Sequence, residues 1–243
     1  MVTVTFADGS TAERAVTWDA VDPQQYATAG QFTVTGDLGA GVSVRATAVV
    51  TVMAPIPDFA DVVDGQAFYD EIRWMADRGL SQGTQIEDEV FFYPNSAVSR
   101  QAMAAFIYRY MAPTDFEAPA TPTFSDVMPD DQFYEAIEWM AAERLAGGYE
   151  NGTFGPTNPV SRQAMAAFLH RLADRPDAAT PSFTDVPAGH DFAEAIGWLE
   201  ETGIAAGYAD NTFRMSDSIT RQAMAAFLYR YDQFMFRPAR AGA

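Results

Sequence analysis

Apolar and polar positions follow two rhythms along this chain, and the change falls near residue 53. Before it, apolar residues alternate with polar ones: Val2, Val4 and Phe6 share one face, as do Val42, Val44, Ala46, Ala48, Val50 and Val52. A period of two predicts strands. Asp8 and Gly9 in FADGST supply a hairpin turn, and FTVTG from residue 32 adds another short strand. Residues 1–53 therefore read as part of an antiparallel β-sandwich. MAPIPDF, with its two prolines, ends that pattern. Beyond it the period lengthens, and Phe68, Ile72, Met75 and Ala76 fall at i, i+4, i+7 and i+8, one face of a helix turned to a core.

The helical part repeats. VSRQAMAAFIYRYM at 98 returns as VSRQAMAAFLHRLA at 160 and ITRQAMAAFLYRYD at 219, which sets Arg100, Arg162 and Arg221 62 and 59 residues apart. Self-similarity at such a period is the mark of a repeat protein. Each unit opens on F-x-D-V (Phe59 and Asp61, Phe124 and Asp126, Phe183 and Asp185). A helix carrying Trp74, Trp139 or Trp198 in register follows. That helix is expected to stop at Gly79 and Gly203, where glycine suits a left-handed cap, with Arg144 in that place in the second unit. GGYENGTFGPTNP and AGYADNTFRMSDS then suggest a small hairpin in units two and three, while the first unit has a loop three residues longer and no Asn-Gly. APTDFEAPATPT and DRPDAATPS separate the units, giving repeats at 57–113, 122–174 and 181–236.

The second helix of each unit has a well-marked start. Ser99, Ser161 and Thr220 stand where an N-cap belongs, and Val98, Val160 and Ile219 precede them as staples for Met103, Met165 and Met224. Met103, Phe106, Ile107 and Tyr110 then recur at helical spacing and are expected to be buried. The arginine at the first helical position is the anomaly. Its charge faces the positive end of the helix dipole, at a cost of roughly 0.3 to 1 kcal/mol when exposed. Ala102, Ala164 and Ala223 occupy the place of a capping-box glutamate. Free amides beside a guanidinium suit a carboxylate or phosphate, which predicts an anion site. The alternative is an internal pairing of each arginine with an aspartate such as that of F-x-D-V, and from the residues alone both stand open.

Composition narrows the chemistry. The 243 residues, 48% hydrophobic, are those of a globular chain. No cysteine is present, which removes disulfides, thiol nucleophiles and cysteine-type zinc sites, and only His170 and His190 remain for metal or acid–base work. Net charge is −18, and all 15 basic residues are arginine. Such a field repels nucleic acid and anionic lipid, so neither is expected as a partner. No apolar stretch approaches the roughly 18 to 20 residues of a membrane span, so no membrane insertion is expected. No cofactor, metal or catalytic residue is predicted. The chain enters directly on VTVTF after Met1, with no basic and apolar leader, which leads to the expectation of a signal peptide further upstream.

Taken together, F-x-D-V, a tryptophan-bearing helix, GY with NGTF or DNTF, and a Thr/Ser-Arg helix start resemble S-layer homology (SLH) domains in their usual triplet, over about residues 57 to 236. The resemblance implies a mainly α fold of three helical repeats in a pseudo-threefold bundle. It also implies noncovalent anchoring of a surface protein at the cell wall by binding peptidoglycan-linked polysaccharide, often a polymer carrying acidic pyruvate ketals. The family's binding arginine is the second residue of a Thr-Arg-Ala-Glu motif, which maps onto Arg100, Arg162 and Arg221. Here the motif reads SRQA, SRQA and TRQA, with the glutamate lost. Met215 replaces the loop proline seen as Pro94 and Pro156, which predicts a less well-formed third site. Asp61, Asp126 and Asp185 are expected to cap the following helix or orient the arginine. The tryptophans are read as core, with stacking on sugar faces as the alternative. Gly83, Gly148 and Gly207 are read as turn residues, with close approach to a glycan as the alternative. Residues 1–53 resemble a bacterial immunoglobulin-like domain, a small all-β sandwich serving as a spacer.

Two other functions are weighed against this anchor. A protein-interaction or self-associating surface-layer component is one. The anchor portion of a larger envelope glycan hydrolase is the other; against catalysis within these residues, the prominent carboxylates repeat threefold, whereas an acid–base pair needs one asymmetric site.

Overall fold

The computed structural model describes residues 2–6, 9–27, 30–39, 42–52 and 56–236. Contacts divide the chain into two units after Ile56. In the first, β1 (Val2–Thr5) pairs antiparallel with β2 (Thr11–Arg14), and β3 (Thr17–Trp18), β4 (Gly30–Asp37) and β5 (Ala46–Val52) form a second antiparallel sheet in that order. Asp8 of the expected turn lies outside the described residues, while Gly9 takes a φ of 82° and donates to the Phe6 carbonyl at 2.9 Å. The alternation predicted from Val42 begins only at Ala46. Val42 and Val44 precede the strand, Val44 is 63% exposed, and the adjoining Arg45 is held by an ion pair with Asp19 instead of a ladder. Val34 and Leu38 are the buried apolar residues described in this unit.

The second unit is mostly helical. Its elements are α1 (Tyr69–Asp77), β6 (Thr84–Ile86), β7 (Glu89–Phe91), α2 (Arg100–Met111), α3 (Tyr134–Ala142), α4 (Arg162–Leu172), α5 (Ala193–Glu201) and α6 (Arg221–Met235). Gly79 and Gly203 end α1 and α5 at φ of 68° and 72° as expected, and Arg144 ends α3 with the same left-handed turn, at φ 56°. The regular hairpin falls in the first repeat, where β6 and β7 pair across three residues each. In the second and third, where Asn-Gly and Asp-Asn suggested one, the shorter loop closes on Tyr149–Thr153 and Tyr208–Thr212 bonds and has no room for a ladder.

The helices pair between repeats rather than within them: α3 lies on α2, α5 on α4, and α1 on α6, so the last repeat meets the first. A tryptophan marks each junction. Trp139 meets Tyr108 at 5.6 Å, Trp198 meets His170 at 5.8 Å, and Trp74 meets Tyr229 at 5.6 Å between ring centres. At the pseudo-threefold axis the backbone closes a triangle: Val160 donates to Val98, Ile219 to Val160, and Val98 to Ile219, at 2.8 to 3.0 Å. These three side chains are buried with Met103, Met165 and Met224 behind them, in one continuous core. Tyr110, the last of the expected stripe, is only half-buried.

Three grooves between repeats

Each repeat's loop turns on a wholly buried phenylalanine: Phe92, Phe154 or Phe213. Its ring meets the phenylalanine of F-x-D-V at 5.2, 5.3 and 5.5 Å. The aspartate of that motif accepts two loop amides: Asp61 from Phe92 and Tyr93, Asp126 from Phe154 and Gly155, Asp185 from Phe213 and Arg214, all at 2.6 to 2.8 Å. Both carboxylate oxygens are thereby used, so these aspartates do not cap the helix that follows. Phe68, Phe133 and Phe192 stand at those N-cap positions with no side-chain cap bond.

The phenylalanine carbonyl accepts the arginine of the preceding repeat. Arg100 Nε donates to Phe154 at 2.7 Å, Arg162 to Phe213 at 2.7 Å, and Arg221, across the ring, to Phe92 at 2.6 Å. Each guanidinium also lies over the same ring, 4.6 to 4.7 Å from its centre. Aspartate and arginine thus grip one residue from two sides, and among the described residues no ion pair joins them.

The helix amides expected to be free are occupied. Arg100 and Gln101 donate to Asn158 and Pro156, Arg162 and Gln163 to Asp217 and Met215, Arg221 and Gln222 to Ser96 and Pro94, at 2.9 to 3.0 Å. Ser99, Ser161 and Thr220 cap the third amide at 3.3 Å, as predicted. A carbonyl is all this join requires of residue 215, so methionine serves there as proline does. Any anion must therefore be met by side chains, not by a helix terminus.

Those side chains line three grooves. One of about 360 Å³ holds Arg100, Gly148, Tyr149, Phe168, Arg171 and Phe192. The next, about 460 Å³, holds Arg162, Gly207, Tyr208, Phe227, Arg230 and Phe68. The third, about 360 Å³, holds Arg221, Gly83, Thr84, Phe106, Arg109 and Phe133. Every groove draws on all three repeats. A second arginine, nine positions after the first, was present in each quoted stretch but given no role by sequence. Arg109, Arg171 and Arg230 donate through Nη1 to the carbonyls of Leu80, Leu145 and Ile204 at 3.1, 2.9 and 3.4 Å, which turns them along the groove. Among the described residues no aspartate or glutamate lines any of the three. Burial pushes the proton affinity of Arg100, Arg162, Arg221, Arg109 and Arg171 below the ordinary guanidinium range. Arginine stays charged regardless, so the desolvation is a standing cost that an arriving anion relieves.

Gly148 sits in the groove wall at φ 69°, and a Cβ there would come within 2.6 Å of the Phe124 ring and 2.7 Å of the Thr153 carbonyl. Both the turn and the close approach of the F-x-D-V ring therefore demand glycine. Gly83 and Gly207 repeat the arrangement. None of the tryptophans lines a groove. The helical register of Trp74, Trp139 and Trp198 turns them into the junctions between helices, where Trp139 and Trp198 are buried.

A ring of three helical repeats, closed by backbone bonds and carrying paired arginines in acid-free grooves, defines the class of protein. The S-layer homology domain model matches residues 58–104, 123–166 and 182–225, more than half of the chain, and the chain belongs to that family. The bacterial Ig-like domain (group 4) model matches residues 1–41. The chain is 28% identical over 148 residues to a cellulosome-anchoring protein of Acetivibrio thermocellus, covering 57% of this chain and 33% of that one. It is 27% identical over 117 residues to a cell surface protein of Thermoanaerobacter kivui, covering 46% and 15%. Over 48 residues it is 46% identical to the outer membrane protein SlpA of Thermus thermophilus, covering 20% and 5%. It thus spans a third or less of these relatives. Family and relatives place it at the cell surface, and no described helix is long and apolar enough to cross a membrane.

Proposed function

We propose that the ring holds its parent protein on the envelope by gripping an acidic wall polysaccharide in the three grooves, with residues 1–53 as a spacer and the repeats bounded at 57–113, 122–174 and 181–236. The observation that carries this is the charge of the grooves: two arginines in each and no carboxylate, in a chain of net charge −18. Fixed cations on a predominantly acidic surface need an anionic ligand. A carboxylate on a sugar fits, because a guanidinium can grip it bidentately while Tyr149 or Tyr208 offers a face beside it. Charged hydrogen bonds of this kind contribute roughly 1.5 to 3 kcal/mol each, so one groove is weak alone and three on one polymer add by avidity.

The test is co-sedimentation with envelope sacculi before and after acid extraction of the polysaccharide. Arg100, Arg162 and Arg221 also brace the phenylalanine loops, so their alanine variants risk unfolding. Arg109→Gln, Arg171→Gln and Arg230→Gln together leave those braces in place. Loss of binding in this triple variant at an unchanged melting temperature, matched by loss on extraction, supports the proposal. Full binding by the folded triple variant, or binding that survives extraction, sinks it and favours a protein partner.

A further inference from the structure

The position after each buried loop phenylalanine has a left-handed backbone in all three repeats, and each repeat fills it differently. Tyr93 stands there at φ 57°, Gly155 at 68° and Arg214 at 58°. Glycine takes such a backbone freely, whereas a larger residue is kept there against a steric cost. An arginine retained at a costly φ points to a role for its side chain.

Arg214 is tied on three sides. Its amide donates to Asp185 at 2.7 Å, its Nη2 pairs with Asp210 at 3.1 Å, and its Nε donates to the Thr212 hydroxyl at 3.4 Å. Asp210 is fixed in turn by the Thr212 amide and hydroxyl, at 3.2 and 2.6 Å. So held, the guanidinium lies 3.8 Å from the centre of the Tyr208 ring, and that ring is 4.9 Å from the guanidinium of Arg162. One ring thus joins an arginine outside the groove to an arginine within it. Arg214 does not line the groove, and Asp210 meets its charge, so it is not itself a receptor.

The other two repeats lack this device. In the second, Gly155 brings no cation to Tyr149, Asn151 replaces Asp210, and the Tyr149 hydroxyl accepts only the Asn158 amide at 3.3 Å. In the first, Thr84 replaces the tyrosine and Tyr93 stacks on Phe91 at 5.7 Å. An exposed loop tyrosine must be ordered when a ligand arrives, and a ring already pinned has less freedom to lose.

We propose that Arg214 is a positioning residue for the Arg162 groove: it pins the Tyr208 ring, and the pinned ring holds the Arg162 guanidinium ready for an anion that Arg214 never touches. This role rests on the proposed reading of the groove as an acidic-glycan site.

The experiment is calorimetric titration of the full chain with the methyl glycoside of a pyruvate-ketal hexose, the other two grooves being weakened by Arg109→Gln and Arg171→Gln. In this background Arg214→Gly is expected to weaken binding about threefold, the size of one exposed cation–ring contact. The second repeat already accepts glycine at this place, so the melting temperature should change little. The same substitution on top of Tyr208→Ala is expected to cost no further affinity, because the ring through which Arg214 acts is gone. A general loosening of the loop would instead weaken both backgrounds alike. Unchanged affinity when Tyr208 is present, or an equal loss in both backgrounds, overturns the positioning role while the groove stands. If the probe does not bind, or binds equally well after Arg230→Gln, the groove itself has failed and the role falls with it.

Discussion

Where α6 meets α1, Asp232 is buried and accepts the Tyr110 hydroxyl at 3.2 Å and Arg78 Nη2 at 3.3 Å. The other two junctions have Met111 and Ala173 in place of Asp232, and Glu143 and Thr202 in place of Arg78. The amides that join loop and helix are the same at all three. The difference follows chain connectivity. Linkers already hold repeat 1 beside 2 and 2 beside 3, whereas closing 3 onto 1 shuts a far longer loop and must be driven by contacts alone. The groove at this seam differs in the same way. Arg221 Nη2 is tied to Ser81 Oγ at 3.3 Å, and Thr84 stands where Tyr149 and Tyr208 lie under the other arginines at 5.0 and 4.9 Å. The repeated arginine is therefore tied into the fold by one more side-chain bond at the seam than in the other two grooves.

The largest expected effect comes from opening the seam. Asp232→Ala leaves the half-buried Tyr110 phenol without its acceptor and should lower unfolding free energy by about 2 kcal/mol in denaturant titrations. A change under about 0.5 kcal/mol would show that the polar cluster is not what closes the ring. Next is alkaline sensitivity. Burial pushes the Tyr231 phenol up to about 12, and burial together with Asp232 raises Tyr110, whose ring lies 5.9 Å away. Tyrosines of the unfolded chain ionise near 10. These phenols therefore cost nothing below about pH 10, and stability is lost as pH rises from there through about 12. Tyr231→Phe should flatten melting temperature against pH in that window, and an unchanged profile would rule the seam out as the alkali-labile element.

A smaller effect should separate the grooves. Tyr149→Ala should weaken single-groove binding of an acidic sugar about fivefold, the value of roughly 1 kcal/mol of guanidinium–ring contact, and Thr84→Tyr should strengthen the seam groove comparably. If Thr84→Tyr changes nothing, the Ser81 tie rather than the missing ring sets that groove apart. The smallest concerns α3. Arg144→Gly, matching Gly79 and Gly203, should stabilise by about 0.5 kcal/mol through relief of the left-handed backbone, visible as a small rise in melting temperature. A fall would mean that the arginine side chain contributes more than its backbone costs.

Local chemistry was well written in the sequence. Ser99, Ser161 and Thr220 cap as their spacing implied, the methionine face is core, and the arginines begin their helices. What spacing could not convey was the hand-off between repeats. Arg100 bonds a residue 54 positions on and Arg221 one 129 positions back. Such partners follow from ring closure, not from any local period. The same ignorance left the first-turn amides looking free and the F-x-D-V aspartates looking like helix caps, when both serve loops that arrive from elsewhere in the fold. Arg109, Arg171 and Arg230 were legible as a repeat but not as a role, since only the assembled groove brings them near the first arginine.

A stack of repeats has two ends, and such stacks shed material from the ends inward. The α1–α6 contact removes both. Tension arriving along the chain from the β unit reaches Pro57, whose carbonyl accepts Arg73 of α1 at 2.9 Å, and α1 is itself clasped by α6 of the third repeat. Pulling on the first repeat therefore loads the third at once, and no single repeat can be peeled away without breaking two junctions together.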